Sequence, residues 1–121
     1  MDDGGTTDEL AAEARARVRE VPAAEIIAWH AGGVDVVYVD VREPNEWNLF
    51  RIPGAVHLPL GGVRAGAGAA VPPARCVVVY CQRGNRSVLA ADALRELGYA
   101  DVVSLEGGLL AWVSAGGALE E

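Results

Sequence analysis

The segment of this chain best suited to chemistry is Tyr80-Cys81-Gln82-Arg83-Gly84-Asn85-Arg86-Ser87. It follows an apolar run, Cys76 to Tyr80, that reads as a buried strand, and it opens a helical stretch, Arg86 to Leu97, that Gly98 stops. A turn at the carboxyl end of a strand aims backbone N–H groups inward as a nest for an anion. The N-terminus of the next helix adds partial positive charge. Gly84 frees the backbone to curve, and Arg83 and Arg86 bring full charges with no carboxylate in the loop to cancel them. A thiol in such a field is favoured as its thiolate, the nucleophilic form. Cys81 is therefore the candidate nucleophile, with Gln82, Arg83, Gly84, Asn85 and Arg86 as the loop that holds its substrate.

The second cysteine reads differently. Cys76 lies five positions before Cys81 on the same expected strand, so the two point to opposite faces and do not suit a disulfide. Cys76 is expected to pack as a small hydrophobe. His30 is expected at the surface and His57 as a structural strand residue; neither has a metal-ligand partner at helical spacing, so no metal is expected.

The elements that must position the loop follow from pattern. A helix is expected from Asp8 to Arg19, and a second from Pro22 to His30, ended by Gly32-Gly33. Val34 to Val41 is a β-branched run with little alternation, as in a strand buried on both faces. Pro44 to Phe50 fits a short helix, Ala55 to Leu58 a short strand, and Gly61 to Pro73 an irregular Gly/Ala/Pro-rich stretch. After the strand at Cys76–Tyr80 comes the Arg86–Leu97 helix, with Ala90, Ala91, Leu94 and Leu97 near one stripe. A strand at Asp101–Leu105 and a helix at Leu109–Val113 close the chain. Alternation of strands and helices predicts an α/β fold with a mostly parallel sheet.

Composition sets the outer limits. The chain has 121 residues, 51% of them hydrophobic, which suits one domain with its own core. No apolar run is long enough to cross a bilayer, and no signal peptide is expected from the acidic, polar Met1-Asp2-Asp3-Gly4-Gly5. An acidic chain of net charge −7 is a poor nucleic-acid binder. With only two cysteines, the expected location is the cytoplasm, with thiols kept reduced. All ten basic residues are arginine. Between Glu46 and Asp92 there is no acidic residue, and that stretch carries Arg51, Arg64, Arg75, Arg83 and Arg86, a local basic block that fits an anion site.

The loop Cys81-Gln82-Arg83-Gly84-Asn85-Arg86-Ser87 resembles the active-site loop of rhodanese-type sulfurtransferases, and other segments agree in order. Asp40-Val41-Arg42-Glu43 with Glu46-Trp47, Ile52-Pro53-Gly54-Ala55 with His57-Leu58-Pro59, and Gly98-Tyr99 with Leu105-Glu106-Gly107-Gly108 and Trp112 resemble the family's remaining signatures. The resemblance covers residues 20 to 115. It implies a rhodanese-like fold, a central five-stranded sheet flanked by helices on both faces, occupying residues 20–116. Residues 1–19 would then be a helical extension and 117–121 a tail. It further implies sulfur transfer through a Cys81 persulfide, from a donor such as thiosulfate to a thiol or cyanide acceptor, or to a sulfur-carrier protein, without a cofactor. Asp40 and Arg42 would support the site as a pair, and Trp47 would pack half-buried or wall the pocket.

Two departures and two rivals accompany that reading. Phe50-Arg51 stands where the family often has Gly-His, so no role of that histidine carries over. A phosphatase or arsenate reductase of related fold would use a loop one residue longer between Cys and Arg; here Cys81 to Arg86 spans four intervening residues. A non-catalytic interaction module of this family commonly lacks the cysteine, which this chain keeps.

Overall fold

The computed structural model describes residues 3–72 and 75–121; Met1, Asp2, Pro73 and Ala74 lie outside it. Five parallel strands form one sheet, in the order β1-β5-β4-β2-β3: β1 (Arg19–Val21), β2 (Val36–Asp40), β3 (Val56–His57), β4 (Cys76–Tyr80) and β5 (Val102–Leu105). The central strand β4 has no solvent face. Val77, Val79 and Cys81 enter one core with Val63, Ala67, Ala90 and Leu94, while Val78 and Tyr80 enter the other with Ile26, Leu109 and Trp112. Burial on both faces is why its sequence shows valines without alternation.

Among the described residues there are six helices around the sheet: α1 (Asp3–Ala14), α2 (Ala23–Ala31), α3 (Pro44–Leu49), α4 (Val63–Ala70), α5 (Asn85–Glu96) and α6 (Gly108–Ser114). Helices α4 and α5 supply the first core, and α2 and α6 the second. Helix α1 lies against α5, with Ala11 and Ala14 buried and Arg17 gripping Asp92 at 2.9 Å. At the other terminus, Arg51 and Glu120 exchange two backbone hydrogen bonds of 2.9 Å, and Gly117 passes so close to Trp112 that a Cβ would lie 2.3 Å from the indole.

Four sequence expectations are corrected. The first helix ends at Ala14 rather than Arg19; Arg19–Val21 is instead the edge strand β1, paired with Val103–Leu105. Three residues are too few to show alternation, and the pairing that orders them comes from far along the chain. The stretch Gly61 to Pro72 is largely regular rather than irregular, Pro73 lying outside the described residues: a 3₁₀ turn, Leu60–Gly62, leads into α4. Val63 and Ala67, one turn apart, are buried there, and Gly66 lets Leu58 approach to where a Cβ would sit 2.8 Å from its methyl. Packing of that face outweighs a helical cost of about 1 kcal/mol per glycine. Leu97 leaves the buried stripe and is exposed, because the helix ends at Glu96. His30 is half-buried rather than superficial, with its Nε2 2.9 Å from the Pro53 carbonyl and its ring edge-on to Tyr38 and Trp112.

Candidate active site

The polypeptide leaves β4 at Tyr80 and enters α5 at Asn85, and the four residues between form a tight turn around the Cys81 sulfur. Gly84 sits at φ +103°, where a side chain would be strained. That conformation turns the Gly84 N–H onto Cys81 Sγ at 3.1 Å, and the Ser87 N–H joins it at 3.3 Å from the first turn of α5. Ser87 Oγ lies 3.5 Å from the sulfur and 2.8 Å from Ser104 Oγ of β5. A sulfur at this point therefore faces two backbone donors, a hydroxyl and the positive end of a twelve-residue helix.

The neighbouring α6 holds the turn from behind. Leu109 N–H donates to the Cys81 carbonyl at 2.8 Å and Leu110 N–H to the Gln82 carbonyl at 3.1 Å. Close approach here needs the pair Gly107-Gly108: a Cβ on Gly108 would lie 2.6 Å from those carbonyl oxygens, and one on Gly84 3.2 Å from Gly107 N.

The charged residues divide by role. Arg86 puts two guanidinium nitrogens on the Glu46 carboxylate, at 2.8 and 3.1 Å. That hydrogen bonding holds the Glu46 carboxyl below its ordinary value and raises Arg86 further. Glu46 in turn accepts the Glu43 N–H at 3.0 Å, capping α3. Arg42 and Asp40, 1% and 0% exposed, form a buried pair at 2.9 Å. From there Arg42 donates to the Phe50 carbonyl at 2.6 Å and to Gln82 Oε1 at 3.3 Å, so the pair supports the loop from below. Arg83 is exposed and has no hydrogen-bond or ion-pair partner among the described residues. Trp47 is half-buried and stacks on His57 at 4.7 Å, with the Arg51 guanidinium 4.6 Å from its ring centroid; it is not among the residues that line the cleft. His57 Nε2 lies 2.8 Å from the Arg42 carbonyl, a strand residue holding the same support.

A cleft of about 310 Å³ opens above the sulfur, lined by Cys81, Gln82, Arg83, Asn85 and Arg86 and by Thr7 and Asp8 of α1. The loop residues singled out from sequence thus come together, with Gly84 buried beneath them. Sequence reasoning missed the contact of Ser87 with the sulfur and of Ser104 with Ser87, the anchor role of Glu46, and the α1 residues. The Glu43/Glu46 capping spacing behind Pro44 was the one available signal; nothing local tied Asp8 to a loop more than seventy positions away.

Residues 23–115 match the model of the rhodanese-like domain. The chain belongs to the rhodanese-like domain family. This rhodanese-like domain is 35% identical over 99 residues to a protein of Allochromatium vinosum named "Sulfurtransferase", covering 82% of this chain and 92% of that one. It is 38% identical over 89 residues to the "Probable adenylyltransferase/sulfurtransferase MoeZ" of Mycobacterium tuberculosis, covering 73% of this chain but 23% of MoeZ. Among solved structures, a Rhodopseudomonas palustris protein of unknown function, called a possible tyrosine phosphatase, superposes with a TM-score of 0.84 at 33% identity, covering 94% of this chain and 93% of that one. The thiosulfate sulfurtransferase of Pseudomonas aeruginosa gives 0.78 at 29% identity, covering 90% of this chain and 21% of that one. Among the described residues, no helix is long and apolar enough to cross a membrane.

Proposed function

We propose that this rhodanese-like domain is a sulfurtransferase that carries a sulfane sulfur on Cys81 as a persulfide. The observation that supports this most is the pair of backbone donors on Sγ, from Gly84 at 3.1 Å and Ser87 at 3.3 Å. They stabilise an anionic sulfur without a metal or organic cofactor. In the loading step, the Cys81 thiolate attacks the outer sulfur of thiosulfate. An S–S bond forms, the S–S bond of thiosulfate breaks, and sulfite leaves with the bonding pair, so Cys81 ends as Cys–S–S⁻. In the second step a thiophile such as cyanide attacks the terminal sulfur, leaves as thiocyanate and returns the thiolate. A thiol or a sulfur-carrier protein takes cyanide's place in a reducing compartment such as the cytoplasm; relatives named sulfurtransferases support the sulfur-transfer reading itself.

In this reading Cys81 is the catalytic residue. Gln82, Arg83, Asn85 and Arg86 form the substrate cleft, Gly84 shapes it, and Asp40 and Arg42 position the loop. A phosphatase reading fits less well, because the arginine such a loop would put on phosphate is held by Glu46 at two points. The thiosulfate:cyanide assay tests the proposal. Wild type forms thiocyanate and Cys81→Ser forms none while keeping its circular dichroism; turnover near wild type in Cys81→Ser would overturn it.

A further inference from the structure

The charges at the mouth of the cleft do not add to a simple anion trap. Arg86 is neutralised by Glu46, and Arg15, on the far side, pairs with Glu20 at 3.2 Å. That leaves Arg83 and, facing it from α1, Asp8. Asp8 is held in place by the helix that carries it. Ala11 and Ala14 are buried against α5, and the loop residue Asn85 donates from Nδ2 to Asp8 Oδ1 at 2.8 Å. Asn85 Oδ1 in turn accepts from Arg15 Nη2 at 2.8 Å, so Asp8 of α1 and Arg15, just past its end, hold the first residue of α5 between them. No cation pairs with Asp8 among the described residues. A carboxylate fixed at the rim of an anion cleft acts on charge, and acts twice as strongly on a dianion as on a monoanion.

We propose that Asp8 is a specificity-determining residue that ranks sulfur donors by charge, holding down thiosulfate relative to singly charged sulfane donors. The substrate half of this proposal rests on the sulfurtransferase reading; the electrostatic half does not. Methanethiosulfonate is the matched probe, with the same outer sulfur and one negative charge fewer. The Cys81 thiolate takes that sulfur, the S–S bond of the donor breaks, and methanesulfinate leaves with the bonding pair.

The experiment compares wild type with Asp8→Asn, which keeps an oxygen acceptor for Asn85. Asp35→Asn serves as the control, removing the same charge at the opposite end of the sheet, where Asp35 pairs with Arg75. Expected for Asp8→Asn is a rise in kcat/KM of roughly three- to tenfold for thiosulfate and about the square root of that factor for methanethiosulfonate, shrinking as salt is added. A second readout needs no sulfur transfer: in a Cys76→Ala background, the ratio of Cys81 alkylation rates by iodoacetate and by neutral iodoacetamide should rise about two- to threefold. Asp35→Asn should move neither ratio. Equal factors for the two donors, or an unchanged alkylation ratio, would overturn the role of Asp8. If wild type takes sulfur from neither donor, the sulfurtransferase reading falls, and the alkylation ratio still decides whether Asp8 screens anions.

Discussion

The guanidinium of Arg86 grips the carboxylate of Glu46 with two nitrogens, at 2.8 and 3.1 Å, and so ties the first turn of α5 to α3 across the mouth of the sheet. A charge that the loop sequence offers to substrate is spent on architecture, and the Cys81 sulfur is left to backbone N–H groups. Glu46→Gln should therefore cost about 1 kcal/mol of stability, as expected for a half-buried charged hydrogen bond, and should loosen the loop enough to lower the rate of sulfur loading. The Glu46 carboxyl is held below its ordinary value by Arg86, so the contribution is present above that ordinary value and lost as pH falls through the lowered one. Thermal unfolding of both proteins should show a constant gap near neutrality that closes in acid; a gap independent of pH would count against the ion pair as its source.

Gly84→Ala addresses the turn itself. The residue is at φ +103°, and the new Cβ would press 3.2 Å from Gly107 N. A cost of about 1–3 kcal/mol is expected, with loss of the Gly84 N–H bond to sulfur and of turnover. Denaturant unfolding alongside the thiosulfate:cyanide assay checks both; unchanged turnover would show that this donor is dispensable.

Arg83 is exposed, and its charge acts through water. Arg83→Ala should raise KM for thiosulfate by about three- to tenfold with little change in kcat, because an exposed charge binds ground and transition states alike. Steady-state kinetics with thiosulfate decides it. A fall in kcat at constant KM would place Arg83 on the reacting sulfur instead.

Cys76 begins β4, at the opposite end from Cys81, and burial with Asp101 beside it pushes its thiol up to about 11. With the folded value raised, Cys76 stays a thiol at neutrality and becomes nucleophilic only as pH climbs toward 11. Peptide mapping after iodoacetamide treatment at pH 8 should find the label on Cys81 and not on Cys76, and Cys76→Ala should keep its turnover. Label on Cys76 at pH 8, or loss of turnover in folded Cys76→Ala, would contradict this.

Much of the molecule was legible in the sequence because its signals are local. The valines of β4, the turn residues from Gln82 to Gly84 and the helix formers after them sit side by side, and the site loop could be read from them alone. The ordered pair Asp40–Arg42 was likewise visible, two positions apart on one strand end. What escaped depends on contacts distant in sequence. Strand β1 exists by pairing with Val103–Leu105, α4 by burying Val63 and Ala67 beneath α5, and the cleft wall by α1 reaching Asn85. Arg86 was read as a substrate charge because its partner Glu46 lies forty positions earlier. A residue's type announces what it can do; its partner decides what it does.

On this mechanism Cys81 carries the sulfur. The most direct measurement is mass spectrometry of intact and digested protein after thiosulfate treatment and removal of excess donor. A gain of one sulfur atom is expected, mapped to the Cys81 peptide, discharged by cyanide and absent in Cys81→Ser. No gain in wild type, or the same gain in Cys81→Ser, would contradict it.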